Sequence, residues 1–190
     1  MISHKSRTGL DFFYPYPEST GYTQEQDVAR FRLLAPQIKG SVLDIGCGVS
    51  SLLAPTYGIA YNIRSYTGVD IRPDTLELAA RTYPDHLYMN QLPRGIKYDT
   101  VLLLGVNMFN INRDTAGNKR RFAELLQTAA GLTGGRMIFS VCKEPPAGTY
   151  DDPSIIKYSY NELEQLCKQL GDCSISNNNA LEYFVLWVRP

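Results

Sequence analysis

The sequence predicts an α/β chain built on a doubly wound, mostly parallel seven-stranded sheet with helices on both faces. Three observations lead there. Amphipathic helical stretches alternate with short apolar strands along most of the 190 residues. The run ending in Val101-Leu102-Leu103-Leu104 is apolar on successive positions, as a strand covered on both faces requires. Val42-Leu43-Asp44-Ile45-Gly46-Cys47-Gly48 reads as a buried strand stopping abruptly in a glycine turn.

The elements follow in order. Residues 24–35 form a helix: Thr23 and Gln26 make a capping-box pattern, Val28, Phe31 and Ala35 recur at helical spacing, and Pro36 ends the run. Residues 41–45 are the first strand. Ser50 or Ser51 caps the next helix, which Pro55 makes short or irregular. Strand 66–70 precedes a helix opened by Pro73, with Asp74 and Glu77 at its positive end and Leu76, Ala79, Ala80 and Tyr83 as its buried stripe. A short strand near His86–Met89 and a strand over 99–104 follow. Helix 118–130 buries Phe122, Leu125, Leu126 and Ala129, and Gly134-Gly135 turns the chain into strand 136–141. Helix 160–170 buries Leu163, Leu166, Cys167 and Leu170. Strands over about 172–177 and 182–189 are joined by Asn178-Asn179, good turn chemistry. The expected organisation is a single globular domain over 38–190, preceded by an aromatic segment and helix over 1–37.

Composition narrows the function. Lys plus Arg number 19 and Asp plus Glu number 19, so no net charge draws the chain to nucleic acid or anionic membranes. No apolar run approaches the ~20 residues of a membrane span, and the first seven residues lack a signal-peptide core. Cys47, Cys142, Cys167 and Cys173 form no CxxC pair and read as reduced thiols of a cytoplasmic protein. With two histidines, no metal site is expected. No GxxxxGK[ST] or GxSxG occurs.

In open α/β sheets ligands sit at the carboxyl ends of the strands, where the strand order reverses. Gly46 and Gly48 fall at such an end, and glycine lets backbone approach a ligand and take positive φ. A GxG alone fits any strand-to-helix turn; Asp44, two places before the first glycine, narrows the choice. An acid there repels a pyrophosphate but suits a ligand carrying an amino group and a sulfonium. Asp70 closes the second strand 26 residues later, where a carboxylate can accept from both ribose hydroxyls; the spacing suits NAD as well, and a plain acid flanking the helix at Pro73 also fits, so Asp70 alone does not discriminate.

These segments resemble motif I and the second motif of class I S-adenosylmethionine-dependent methyltransferases. The resemblance covers roughly residues 38–190 and rests most on Asp44-x-Gly46-x-Gly48 with Asp70. The family's third glycine is replaced by Ser50. The resemblance implies S-adenosyl-L-methionine as cofactor, S-adenosyl-L-homocysteine as product, and a last strand that turns back antiparallel. It implies cofactor contacts from Asp44, Gly46, Cys47, Gly48 and Asp70, and from Ile71 against the adenine. After the third strand Asn90, Gln91 and Leu92 stand where the family holds the adenine amino group; a plain polar loop fits them equally. Gly105 and Val106, ending the fourth strand, belong to the cofactor side, and Asn107, Phe109 and Asn110 face the acceptor. Tyr14, Tyr16 and Tyr22 either wall the acceptor pocket or pack on the helix at 24–35, and the two are compatible.

The implied activity is methyl transfer to an O, N or S atom of a small molecule. The paired-proline motif of amide methylation is absent, the strand ending instead in Gly105-Val106-Asn107-Met108, and with neutral charge and no added recognition domain in these residues the expected acceptor is not a macromolecule. Neither the acceptor atom, a catalytic residue nor an oligomeric state is specified. Two further readings stand beside it: a non-catalytic S-adenosylmethionine-binding protein of the same fold, and an NAD-dependent oxidoreductase.

Overall fold

The computed structural model describes residues 30–106, 111–145, 153–177 and 182–189, and the backbone alone of 2–5 and 11–14. Two short strands, β1 (Ile2–Lys5) and β2 (Asp11–Tyr14), pair antiparallel with Ile2 opposite Tyr14. The sequence pattern gave no sign of these strands.

Among the described residues the main sheet has eight strands: β3 (Gly40–Ile45), β4 (Ile63–Val69), β5 (Leu87–Met89), β6 (Tyr98–Leu103), β7 (Thr133–Lys143), β8 (Lys157–Tyr158), β9 (Cys173–Ser176) and β10 (Glu182–Val188). Their order is β5-β4-β3-β6-β7-β10-β9, with β8 pairing β7 off this path. All neighbours are parallel except β10, which runs antiparallel to both β7 and β9. The expected sheet is thus present, with β8 as an unforeseen addition too short to carry a sequence pattern.

Alternation along the central strands sends side chains to two cores. Leu43, Ile45, Val101, Leu103, Met137 and Phe139 pack beneath Phe122 and Leu126 of α3 (Thr115–Leu132) and Leu163 and Leu166 of α4 (Tyr160–Leu170). Val42, Leu102 and Ile138 face the other side, against Phe31 and Leu34 of the helical turn at residues 30–34 (α1), with Leu76 of α2 (Pro73–Thr82) and Tyr83, just past its end, at the margin. Among the described residues no helix is long and apolar enough to cross a membrane. All four cysteines are free.

Several expected boundaries move for local reasons. The region after Ser50 is three short 3-10 turns, and Ser50 is no helix cap: its hydroxyl makes no capping bond. α3 begins three residues early because Asp114 accepts the Gly117 amide at 2.9 Å. Gly134 and Gly135 do not form a turn; α3 runs straight into β7, which already begins at Thr133. Gly135 lies so close to β6 that a β-carbon there would sit 2.6 Å from the Asp99 carbonyl oxygen.

The amino ends of three strands are fastened together. Asp99 Oδ2 accepts from the Ser41 amide at 2.7 Å, the Ser41 hydroxyl at 2.8 Å and Arg64 at 2.9 Å. These donors, the Ser41 amide first, hold the Asp99 carboxyl below its ordinary range. Asp99 is structural, as its position at the start of a strand implies.

Candidate functional site

The opposite edge gathers the residues singled out by the sequence. The order reverses around β3, whose neighbours β4 and β6 lead the chain to opposite sides, so β3, β4 and β6 end around one crevice. β3 passes into the turn at 46–50. The amides of Gly46 and Cys47 both donate to the Val69 carbonyl, at 2.7 and 3.0 Å, lacing the turn to the end of β4.

Both turn glycines are needed for their backbone. Gly46 has φ +75° and Gly48 φ +52°. Gly46 abuts Val106, which brings the ends of β3 and β6 into contact, whereas the space over Gly48 is open.

Asp70 fixes this turn directly. Its Oδ2 accepts the Gly48 amide at 2.9 Å and its Oδ1 accepts the Arg72 amide at 2.9 Å. A carboxylate has about four lone-pair sites, so two remain for further donors. Next to it Ile71 is 87% exposed, a large apolar side chain with no protein cover at the mouth of the crevice. The Asp70 amide donates to the Met89 carbonyl at 3.3 Å, tying in the end of β5. Asn90 and Gln91 follow, both exposed, while Leu92 is half-buried against the α3 core.

Asp44 lies beneath the turn, only 3% exposed. It accepts the Tyr66 hydroxyl at 2.7 Å. Its carboxyl is pushed up from 3.8 to about 7, first by burial; Asp70 raises it further, while Tyr66 and Arg30 oppose the shift. The Tyr66 hydroxyl also lies 2.9 Å from Ser50 Oγ. Tyr66 has one proton, so with Asp44 ionised the serine is the donor in that second bond. Ser50 is fully buried and stands in the left-handed region, φ 57° and ψ 37°. Such a conformation costs a non-glycine residue about 1–3 kcal/mol, and a buried hydrogen bond offsets about 0.5–1.5 kcal/mol.

Cys47 turns its side chain into the α1-side core, against Gly68. Burial first, and Asp44 next, push its thiol well above the ordinary range, so it is no nucleophile. Any ligand contact from Cys47 comes through its backbone.

On the β6 side Gly105 has φ +74° and donates its amide to Ser140 Oγ at 3.1 Å. Ser140 in turn reaches Glu182 Oε1 at 3.4 Å. Glu182 is 1% exposed and pairs with Arg30 at 3.1 Å, joining α1 to β10 under the crevice. Asn107, Phe109, Asn110, Tyr16 and Tyr22 lie outside the described residues, and Tyr14 is described in backbone only. Asn112 and Arg113, both at φ 56°, lead from that region into α3.

The structure thus brings Gly46, Gly48, Asp70, Ile71, Gly105 and Val106 to one crevice and sets Asp44 below it. Sequence reading passed over Tyr66, Ser140, Glu182 and Arg30. Glu182 carried a signal: it is the one acid in the strand Glu182–Val188. Tyr66 carried none, since a tyrosine in a strand reads as core.

No protein-family model matches the sequence, and no curated protein matches it significantly. Solved structures do resemble it in shape. Magnesium protoporphyrin IX methyltransferase from Synechocystis PCC 6803, with bound S-adenosyl-L-homocysteine, superposes with a TM-score of 0.62 at 20% identity, over 88% of this chain and 83% of that one. A protein from Bordetella parapertussis described as possibly exported gives 0.65 at 19%, over 87% and 67%. The N-methyltransferase NodS from Bradyrhizobium japonicum WM9, in complex with S-adenosyl-L-homocysteine, gives 0.63 at 10% identity, over 94% of both chains. Strand order, the antiparallel β10 and these superpositions agree: the chain has the class I methyltransferase fold.

Proposed function

We propose that this protein is an S-adenosylmethionine-dependent methyltransferase acting on an O, N or S atom of a small molecule. The observation that carries the reading is Asp70 at the crevice, bonded to the Gly48 amide with two lone-pair sites left over, in a sheet whose β10 is antiparallel. A dinucleotide-binding sheet of order 3-2-1-4-5-6 has no such inserted strand, which sets the NAD reading behind. Asp44 contributes less to that choice than its sequence position implies, because it is buried and its carboxyl is pushed up to about 7.

The residues fit the cofactor. Asp70 would take the ribose hydroxyls, Ile71 would cover an adenine face, and the bare backbone at Gly48 leaves room for close approach. Asn90 or Gln91 would accept from the adenine amino group, and Leu92 would back the ring. When bound, S-adenosylmethionine supplies a methyl group on a sulfonium sulfur. The chain's own work is alignment and exclusion of water. Gly105 and Val106, braced by Ser140 and Gly46, would set the wall past which the acceptor meets that methyl. Asn107, Phe109 and Asn110, with Tyr14, Tyr16 and Tyr22 of the N-terminal segment, would line the acceptor side. A neutral amine acceptor needs no strong base, and a phenol or carboxylate needs only deprotonation. The four free thiols accord with a cytoplasmic setting.

Calorimetry with S-adenosylmethionine, S-adenosylhomocysteine and NAD tests this. Both adenosyl ligands should bind and NAD should not. Transfer of a labelled methyl group to a panel of small amines, phenols, carboxylates and thiols then separates an enzyme from a binding protein. NAD binding with the adenosyl ligands ignored would overturn the reading.

A further inference from the structure

The turn that carries Gly46 and Gly48 ends in a residue that does not suit its own backbone. Ser50 replaces the third glycine of the family pattern yet keeps the left-handed conformation, φ 57°. Its backbone is engaged on both sides: its amide donates to the Cys47 carbonyl at 2.8 Å, and its carbonyl accepts the Leu53 amide at 3.0 Å. Its hydroxyl lies 2.9 Å from Tyr66 Oη, which donates to Asp44 at 2.7 Å. The Tyr66 ring is buried and packs against His86 and Tyr88, at centroid distances of 5.4 and 6.2 Å. Tyr66 and Asp70 belong to one stretch of chain, so β4 and the residue after it grip the turn at two points: Asp70 on the Gly48 amide, Tyr66 on the Ser50 hydroxyl.

We propose that Tyr66 is a positioning residue for the cofactor turn, its hydroxyl bridging Asp44 below and Ser50 within the turn so that residues 46–50 keep the shape that receives the ligand. The proposal rests on the S-adenosylmethionine reading above. A glycine at position 50 would hold the same φ unaided. With serine there, the conformation depends on the hydroxyl contact. Tyr66 touches no ligand in this account; it acts through Ser50.

The test is a set of dissociation constants for S-adenosylmethionine and S-adenosylhomocysteine, measured on the full chain, beside thermal melts. Tyr66→Phe and Ser50→Ala should each weaken both ligands about tenfold. Ser50→Gly should bind like the wild type, and adding it to Tyr66→Phe should recover most of the lost affinity. A merely structural tyrosine would lower the melting temperature, leave the affinity of the folded protein unchanged and show no rescue by glycine. Wild-type affinity in Tyr66→Phe, or losses that simply add in the double variant, overturns the proposal. If Tyr66→Phe does not fold, the comparison of Ser50→Ala with Ser50→Gly decides: equal affinities overturn it. Wild-type protein that binds neither ligand overturns both this proposal and the function reading, whereas a binding wild type with an unaltered Tyr66→Phe overturns this proposal alone.

Discussion

Gly46 and Val106 pack with no room for one more carbon between them: a β-carbon on Gly46 would lie 2.7 Å from Val106 Cγ2. Gly48, two residues on, would meet nothing within 4 Å. The two glycines of one turn therefore answer to different demands. Gly46→Ala should cost about 2–4 kcal/mol, from positive φ plus overpacking. Gly48→Ala should cost only about 1 kcal/mol of backbone strain while obstructing the ligand. Chemical denaturation and cofactor titration on both variants check this. Equal stability losses, or undiminished affinity in Gly48→Ala, would contradict it.

Asp70→Ala should weaken S-adenosylmethionine binding by about ten- to a hundredfold, the roughly 1.5–3 kcal/mol of a charge-assisted hydrogen bond. It also removes the acceptor of the Gly48 amide, so the turn loosens as the ribose loses its partner. No other single acid-to-alanine change should cost as much affinity. An unchanged dissociation constant, with circular dichroism intact, removes Asp70 from the site.

Asp44 predicts two opposite pH dependences. Its folded carboxyl titrates at about 7 against an ordinary 3.8. Between these values the folded state keeps a proton that the unfolded chain has released. Stability should therefore fall as pH rises from about 4 to 7, by up to the order of 4 kcal/mol, and level off above. Asp44→Asn should flatten that slope. Tyr66, Tyr88, Cys47, Asp70 and Arg30 are the ionisable groups around it; Asp70 keeps the carboxyl up, Arg30 and the Tyr66 hydroxyl draw it down. A cationic ligand above the turn favours the ionised form, so S-adenosylmethionine should bind more tightly at pH 7.5 than at 6 and release protons on binding at about pH 6–7. Calorimetry in buffers of different ionisation enthalpy reads that release directly; none at pH 6 would refute the coupling.

The Arg30–Glu182 pair should behave as a buried pair does. Glu182→Ala leaves Arg30 without its buried carboxylate and should destabilise by about 3–5 kcal/mol. Arg30→Met with Glu182→Leu should recover part of that loss. Urea unfolding of the two variants measures both, and a loss under about 1 kcal/mol in Glu182→Ala would show that the pair is dispensable.

What could be read from the sequence was what is local. The strand Gly40–Ile45, the glycines after it and Asp70 each announce themselves within a few residues, because a buried parallel strand is mostly apolar and its turn needs positive φ. α4 was legible to the residue from its apolar stripe Leu163, Leu166, Cys167 and Leu170; the capping box of Ser159 and Glu162 that fixes its start shows only in the structure. What stayed hidden depends on contacts between distant segments. Tyr66 meets Asp44 and Ser50 only once β4 lies beside β3. Glu182 finds Arg30 across most of the chain. Gly134 and Gly135 looked like a turn because glycine usually marks one; here they admit the backbone of β6.

The Asp99 clamp has a practical consequence for handling the protein. It closes the rim of the sheet opposite the crevice, and β3, six residues long, spans the distance between them, about 20 Å at a strand's rise per residue. Lys39 is exposed on that far rim. A fluorophore or surface linkage attached at Lys39 would stand a whole strand's length from the glycine turn, so the molecule can be tethered there with its ligand-receiving edge directed outward.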